Sequence, residues 1–432
     1  MKKYLVLLAQ AHETFREAEL QALASLYDID LDLSSYSKNN PFLVVSLEDD
    51  EQAKNLVSRA ILVRSVFELW SEGKDLAELH ENTKRDSKDK WELYKYCSFR
   101  FMVTSFQGSR PKQDQRELIE SFSYLDFQGP IRMKDPDQVF CVLEDYDLIN
   151  GSKESVLKHM CFGRWIADSD RHAIDTYDLK RRDYIGTTSF EAELALVTCN
   201  IAKITHGDLV YDPFAGTGSF LIAAAHYGGH VFGADIDGRQ LRGIGKKSNI
   251  DSNFIQYNLT SKYIDVFSSD FTHPPFRSTV QFNAIVCDPP YGVREGLKVL
   301  GEENQQRIES SISKLDKDGK PLYLKSTYIP PKKNYDFPSL FDDILDFASV
   351  HLVPGGRLCC WVPVSNSEVS SDIFPQHPAL HLISVCVQEF NKWSRVLTIY
   401  ERRASVESTQ STRQSMRVGH FRNQYFSGFK DD

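Results

Sequence analysis

Apolar and polar positions along the chain switch between the period of two that marks a half-buried strand and the period near 3.6 that marks an amphipathic helix. Tyr4 to Ala9 and Phe42 to Leu47 follow the strand pattern, whereas Phe15 to Tyr27 sets Ala18, Leu20, Leu23, Ala24 and Tyr27 on one helical stripe. Asp50 to Ile61 opens on acids, as a helix start does, and Val63 to Trp70 is again a strand. The charged stretch Asp75 to Lys90 predicts a solvated helix or a linker. Cys97 to Ser105, Phe127 to Met133, Gln138 to Glu144 and Cys161 to Trp165 predict strands, with a helix over Pro111 to Tyr124. From Leu209 the rhythm becomes strand, turn, helix: strands end at Asp212, Asp235, Asp270 and Cys287, and an Ala-rich helix follows Gly218. A helix over Leu340 to Val350 stops before Pro354-Gly355-Gly356, and strands follow at Arg357 to Val362, Leu382 to Phe390 and Val396 to Tyr400. The fold class is α/β, an open mainly parallel sheet behind an α+β front part.

The candidate chemistry gathers at the predicted strand ends, where open α/β sheets bind their ligands. Phe282 to Cys287 runs into Asp288-Pro289-Pro290-Tyr291-Gly292, and two prolines stop the ladder and leave a rigid turn. That turn offers a carboxylate, backbone carbonyls and an aromatic ring, a set suited to holding a flat base by its exocyclic amine. Asp212-Pro213-Phe214-Ala215-Gly216-Thr217-Gly218 joins a strand to the Ala-rich helix, and its glycines let a cofactor approach the backbone. The spacing is not a dinucleotide fingerprint, because the third glycine would fall at Leu221, and no Gly-Lys-Ser/Thr follows to cradle phosphates. Asp235 lies about twenty residues beyond the glycine turn, where such sheets hold ribose hydroxyls. Asp270 ends the next strand and is a candidate acceptor for an adenine amine.

The ordered set Asp-Pro-Phe-Ala-Gly-Thr-Gly218, Gly233-Ala-Asp235-Ile-Asp237, Ser269-Asp270 and Asp288-Pro-Pro-Tyr-Gly292 resembles the class I S-adenosylmethionine-dependent methyltransferases that act on exocyclic amines. With Tyr177 to Glu193 and Val387 to Val396 included, the chain resembles the catalytic subunits of eukaryotic tRNA guanosine N2-methyltransferases that modify position 10. One departure is Arg395-Val396, where that family carries two arginines, and it leaves the role of a second arginine open. The resemblance implies a C-terminal Rossmann-like methyltransferase sheet preceded by a ferredoxin-like part and a THUMP module that holds the acceptor end of tRNA. The domains so implied are 1–90, 91–166, a linker 167–185, a methyltransferase domain 186–404 and a basic, aromatic tail 405–432. It implies catalytic roles for Asp288, Pro289, Pro290 and Tyr291, and S-adenosyl-L-methionine held by Thr188, Ser189, Phe190, Asp212, Phe214, Gly216, Gly218, Asp235 and Asp270. It also implies tRNA as substrate and a small zinc-binding activator subunit as partner. Two alternatives remain at this point: another nucleic-acid amine methylase, such as a DNA adenine N6-methyltransferase, and a non-catalytic RNA-binding scaffold of the same shape.

Charge narrows how RNA is held. The 432 residues carry a formal net charge of −9, so contact must come from local basic patches and not from global attraction. Candidates are Arg110 in the front part, Lys180, Arg181 and Arg182 in an aromatic-flanked connector, and Lys392 and Arg395 near the last strands. Arg294 to Pro338 is the longest irregular segment, rich in lysine, and stands as a candidate substrate lid. Eight scattered cysteines make no C-x-x-C pair, and no histidine lies at ligand spacing, so neither a metal set nor a disulfide framework is expected. No run approaches a membrane span, and Met1 to Gln10 reads as a first strand and not as a signal peptide; the expectation is a soluble, cytoplasmic protein.

Overall fold

The computed structural model describes all residues except 149–154, 245–247, 294–296, 302–312, 316, 325–327, 329–330, 405–415, 417–420 and 428–432. It divides into two compact units, Met1–Ala173 and Ile174–Asp432.

In the first unit six strands form one sheet in the order Phe42–Leu47, Lys2–Leu8, Val63–Gly73, Ser155–Asp168, Gln138–Leu148, Phe99–Phe106. The boundary expected between residues 90 and 91 therefore falls inside one continuous sheet. Leu5, Phe67, Leu69, Cys141, Leu143 and Cys161 fill one face of it. The sheet curls enough that Phe42 and Phe106, on its opposite edge strands, meet edge to face at 6.3 Å. The charged stretch is no linker: it forms helices Leu76–Asp86 and Lys88–Tyr94. Asp75 caps the first of them by accepting from the Glu78 N–H at 2.9 Å. Leu79 then enters the cluster of Trp70, Phe140 and Phe162, so a sparse apolar stripe outweighs the surrounding charge. The strand expected over Phe127 to Met133 is a loop with a single bridge at Ile131. Pro130 has no N–H to give a ladder, and Gly129 is pressed so close to the Cys97 carbonyl that no side chain would fit.

In the second unit seven strands run in the order Leu380–Glu389, Trp393–Arg402, Leu352–Ser365, Phe282–Cys287, Leu209–Asp212, His230–Asp235, Tyr263–Ser268. The five from Leu352–Ser365 to Tyr263–Ser268 are mutually parallel, and Trp393–Arg402 runs antiparallel between its two neighbours. The chain starts at the central strand Leu209–Asp212, steps outward to Tyr263–Ser268, then returns to the other side of its start with Phe282–Cys287. The strand order reverses between those two neighbours, and an open sheet splays into a ligand crevice at that point. The β-branched and aromatic runs that predicted these strands are there because both faces are covered: Phe282, Ile285, Leu358 and Val362 are buried in one cluster with Phe341 and Leu345 of the helix Phe337–His351, and the alternate residue Trp361 is buried against Phe190.

Candidate active site

Two loops meet at the reversal of strand order. Asp212 closes the strand Leu209–Asp212, and its Oδ1 accepts the Phe214 N–H at 2.9 Å, which starts the turn that follows. Gly216 and Gly218 have φ of 51° and 83°, in the left-handed region where a side chain is strained. Gly218 is also the N-cap of the Ala-rich helix Ser219–His226. Asp235 ends the neighbouring strand and ties the turn down, its carboxylate accepting from Gly216 N–H at 3.0 Å and from Asp237 N–H at 2.8 Å. One lone pair on each oxygen is thereby left over, and the residue is only half-buried.

Across the reversal the strand Phe282–Cys287 delivers Asp288. The Tyr291 hydroxyl donates to Asp288 Oδ1. Tyr291 itself stands edge-on to Phe337 at 6.1 Å and to Trp393 at 6.2 Å. Both Asp288 and Tyr291 keep part of their surface open, whereas Pro289 is buried and Pro290 exposed. The proline pair thus works as a rigid bracket, Pro289 toward the protein and Pro290 toward solvent.

The electrostatics favour a cationic ligand. Burial pushes the Asp288 carboxyl up to about 6, against the pull of the Tyr291 hydroxyl and the Arg395 guanidinium. Burial likewise raises Asp235, where the Asp237 and Gly216 N–H groups hold it back. Asp212 is raised well above the carboxylate range by burial, with Asp235 and Asp288 adding like-charge repulsion. A positive charge placed beside Asp212 relieves that repulsion. A ribose diol matches the spare acceptors of Asp235, so a nucleoside bearing a sulfonium fits the donor set present, and S-adenosylmethionine is such a molecule.

The remaining expected site residues divide. Ser189 Oγ accepts the Gly186 N–H at 2.8 Å and pairs with Thr217 Oγ1 at 2.7 Å, which fastens the Gly186–Ser189 turn to the glycine loop; Thr188 beside it is exposed. Neither caps the following helix, which starts at Ala192 with Glu191 as its N-cap. Phe190 is core, against Phe220 at 4.7 Å and Trp361 at 5.0 Å. Phe214 is half-buried and packs on Phe271 at 5.2 Å. Asp270 is 4% exposed, and its two oxygens accept from Thr272 N–H at 3.0 Å and Leu300 N–H at 2.7 Å. It pins the strand Lys298–Leu300 and presents almost no surface to an adenine amine. Lys298–Leu300 pairs antiparallel with Lys332–Asn334. This small ribbon belongs to the expected lid over 294–338, part of which lies outside the described residues; Lys332 on it sits in the field of Asp235.

The basic candidates are also sorted. Arg110 is spent on Glu144, a carboxylate with no exposed side-chain surface, at 2.6 Å. Arg182 is buried, and its guanidinium donates to Ser219 Oγ at 2.9 Å and to the Tyr177 carbonyl at 3.3 Å, locking the connector against the glycine-loop helix. Arg110 is thus engaged in an internal ion pair and Arg182 is buried away from any phosphate. Lys180, Arg181 and Lys392 are exposed. Arg395 donates to Glu191 at 3.1 Å and to Gln388 at 2.6 Å, with its guanidinium 4.5 Å from the Phe190 ring centre. It is an internal cation facing Asp288, a role its sequence neighbourhood does not reveal, since Glu191 lies 204 residues away.

Trp393, Phe337, Glu191, Gln388 and Lys332 were not singled out by sequence. Trp393 and Gln388 lie within the Val387 to Val396 motif, Glu191 within Tyr177 to Glu193, and Lys332 and Phe337 within the 294–338 segment, which were signals for them; their individual roles are set only by the fold. Elsewhere, cross-strand pairing brings Glu72, His159 and Cys161 together, their ligand-type atoms within 4.8 Å, a grouping that linear spacing does not reveal. Burial holds that thiol up at about 12.

Comparison with known proteins shows the family. Residues 2–171 match the family described as Tmrp11 THUMP N-terminal domain, and residues 180–336 match the RMKL-like methyltransferase domain. The chain is 45% identical to the tRNA (guanine(10)-N(2))-methyltransferase of Saccharomyces cerevisiae, covering 99% of this chain and 100% of that protein. It is 34% identical to the protein of the same activity name from Homo sapiens, over 99% and 96% of the two chains. A solved structure of TrmN from Thermus thermophilus aligns with a TM-score of 0.44 at 17% identity, covering 93% of this chain and 99% of that one.

Proposed function

The chain belongs to the tRNA (guanine(10)-N2)-methyltransferase family, and we propose that its Asp288–Tyr291 turn positions the exocyclic N2 amine of guanosine 10 in tRNA for methylation. The observation that carries this reading is a part-open carboxylate beside an aromatic ring, across the reversal of strand order from a glycine turn with positive φ. S-adenosylmethionine, when bound, supplies an electrophilic methyl group on a positively charged sulfur. Gly216 and Gly218 admit it to the backbone, and Asp235 accepts from its ribose. Asp288 and the Pro289 carbonyl accept the two amine hydrogens of the guanine, which directs the nitrogen lone pair outward. The amine nitrogen would gain the methyl carbon as the carbon–sulfur bond breaks and its electron pair stays on sulfur, leaving a neutral thioether, and would shed one proton, which Asp288 or a water beside it takes up. Holding the reacting groups in line is worth up to roughly 7–11 kcal/mol in well-oriented systems, so no strong base is required. The target base leaves its stack to reach the turn.

Supporting positions beyond the turn belong to the same proposal. The THUMP-type stretch 91–166 binds tRNA, and the exposed Lys180, Arg181 and Lys392 take phosphates. Arg395 keeps Asp288 ionised from inside. A small zinc-binding activator subunit completes the enzyme, in the cytoplasm, where all eight cysteines stay reduced as they are here. Full-length protein, alone and co-expressed with the activator, is expected to convert unmodified tRNA to a product whose digest contains N2-methylguanosine at position 10. N6-methyladenosine, or no methylated nucleoside from protein that binds the cofactor, would sink the assignment.

A pH profile tests the role of the turn. The carboxyl must be ionised to accept from an amine, and its pKa is raised to about 6. The single-turnover rate should therefore fall as pH drops through about 6. Tyr291→Phe keeps the ring but removes the hydroxyl that stabilises the carboxylate, so the acid limb should move to higher pH. Superimposable profiles for the two proteins would show that Asp288 does not set the limb.

A further inference from the structure

The C-terminal segment is built onto the active-site turn. Its helix Phe421–Ser427 buries Phe421 against Trp393, ring centres 5.6 Å apart, and Trp393 is the ring that stands edge-on to Tyr291. Gln424 Nε2 donates to Glu368 Oε1 at 3.1 Å, and upstream Met416 is buried in the same cluster as Phe341 and Tyr400. Arg422 passes directly by the turn, since a Cβ built on Gly292 would lie 3.9 Å from its Cδ. Arg422, Tyr425 and Phe426 are exposed, with the Arg422 guanidinium 5.8 Å from the Phe426 ring centre. A segment whose composition suggests a loose tail thus presents a cation and two aromatic rings at the rim of the substrate turn.

We propose that this helix is the outer wall of the base pocket and binds the nucleotides flanking the target guanosine. The inference rests on the reading of Asp288–Tyr291 as the guanine-holding turn. Taking one base out of its stack uncovers the faces of its neighbours, and exposed aromatic rings held on a docked element are surfaces on which such faces stack without sequence preference. Tyr425 and Phe426 supply the rings and Arg422 supplies the phosphate contact, which matters in a chain of net charge −9 where attraction has to be local. Phe421 and Trp393 make the wall rigid, and they couple its position to Tyr291.

The test compares steady-state methylation of unmodified tRNA by the full chain, with activator present, for wild type, Arg422→Ala/Tyr425→Ala, Tyr425→Phe and Phe421→Ala. The double variant should lose about ten-fold in kcat/KM for tRNA, mostly through KM, with cofactor affinity unchanged. Tyr425→Phe should keep wild-type values, because stacking needs the ring and not the hydroxyl. Phe421→Ala, which undocks the helix, should lose at least as much as the double variant. The proposal is overturned if the double variant methylates tRNA as wild type does, or if it loses cofactor affinity in parallel, which would make the helix a prop of the domain. A wild-type chain that makes no N2-methylguanosine would instead refute the guanine reading itself, an outcome visible before any variant is examined.

Discussion

Asp288→Ala should lower kcat/KM for tRNA methylation by roughly 100- to 1,000-fold while leaving the dissociation constant of S-adenosylmethionine within a few-fold of wild type. The carboxylate is delivered by a buried strand and held by a proline bracket and a tyrosine hydroxyl, so its direction is fixed before substrate arrives. Removing it costs the amine its oriented acceptor but leaves the glycine turn and Asp235 on the other side of the strand reversal. Asp288→Asn separates acceptor from charge: the amide keeps one carbonyl oxygen for the amine but turns its other end into a donor, and loses the attraction to Arg395. It should sit between wild type and alanine in rate, with no acid limb near pH 6. Single-turnover rates and nucleoside analysis give the rate, and equilibrium titration with the cofactor gives the affinity. An alanine variant with wild-type kcat/KM would remove Asp288 from the chemistry.

How much of this was legible in the sequence depends on whether a residue's role is set by its neighbours in the chain or by the sheet. Strand Phe282–Cys287 and its Asp-Pro-Pro-Tyr end are local: a β-branched run stopped by two prolines has few other outcomes, and the same holds for the glycine turn before an Ala-rich helix. The roles of arginines are not local. Arg110, Arg182 and Arg395 looked alike as basic residues near aromatic ones, yet each meets a partner that the chain brings in from elsewhere: Glu144 at a separation of 34 residues, Ser219 at 37 and Glu191 at 204. Charge alone could not distinguish an internal guanidinium from a phosphate ligand. Asp270 has a structural role that its strand-end position does not reveal, since the Leu300 N–H it accepts from lies 30 residues away. The helix Leu76–Asp86 shows the opposite error, where a charged surface hid a narrow stripe carrying Leu79 into the core.

Asp235→Ala gives the complementary phenotype, an expected rise of about 100-fold in the cofactor dissociation constant. Two losses add here. The ribose hydroxyls lose a charged acceptor, and the Gly216 and Asp237 N–H groups lose theirs, so the glycine turn is released from the geometry in which its positive φ is useful. A charge-assisted hydrogen bond is worth about 1.5–3 kcal/mol, and loss of one such bond plus loosening of the turn reaches roughly the 2.7 kcal/mol that 100-fold represents. Asp235→Asn retains an oxygen for Gly216 but not the charge, so it should weaken binding less than alanine and report how much of the effect belongs to the turn. At saturating cofactor the Asp235→Ala chain should recover much of its methylation rate, because the amine still finds Asp288; no excess of cofactor should rescue Asp288→Ala. Failure of that crossover, with both variants rescued or neither, would mean that the two carboxylates, which lie on either side of the strand reversal, do not divide cofactor and amine between them.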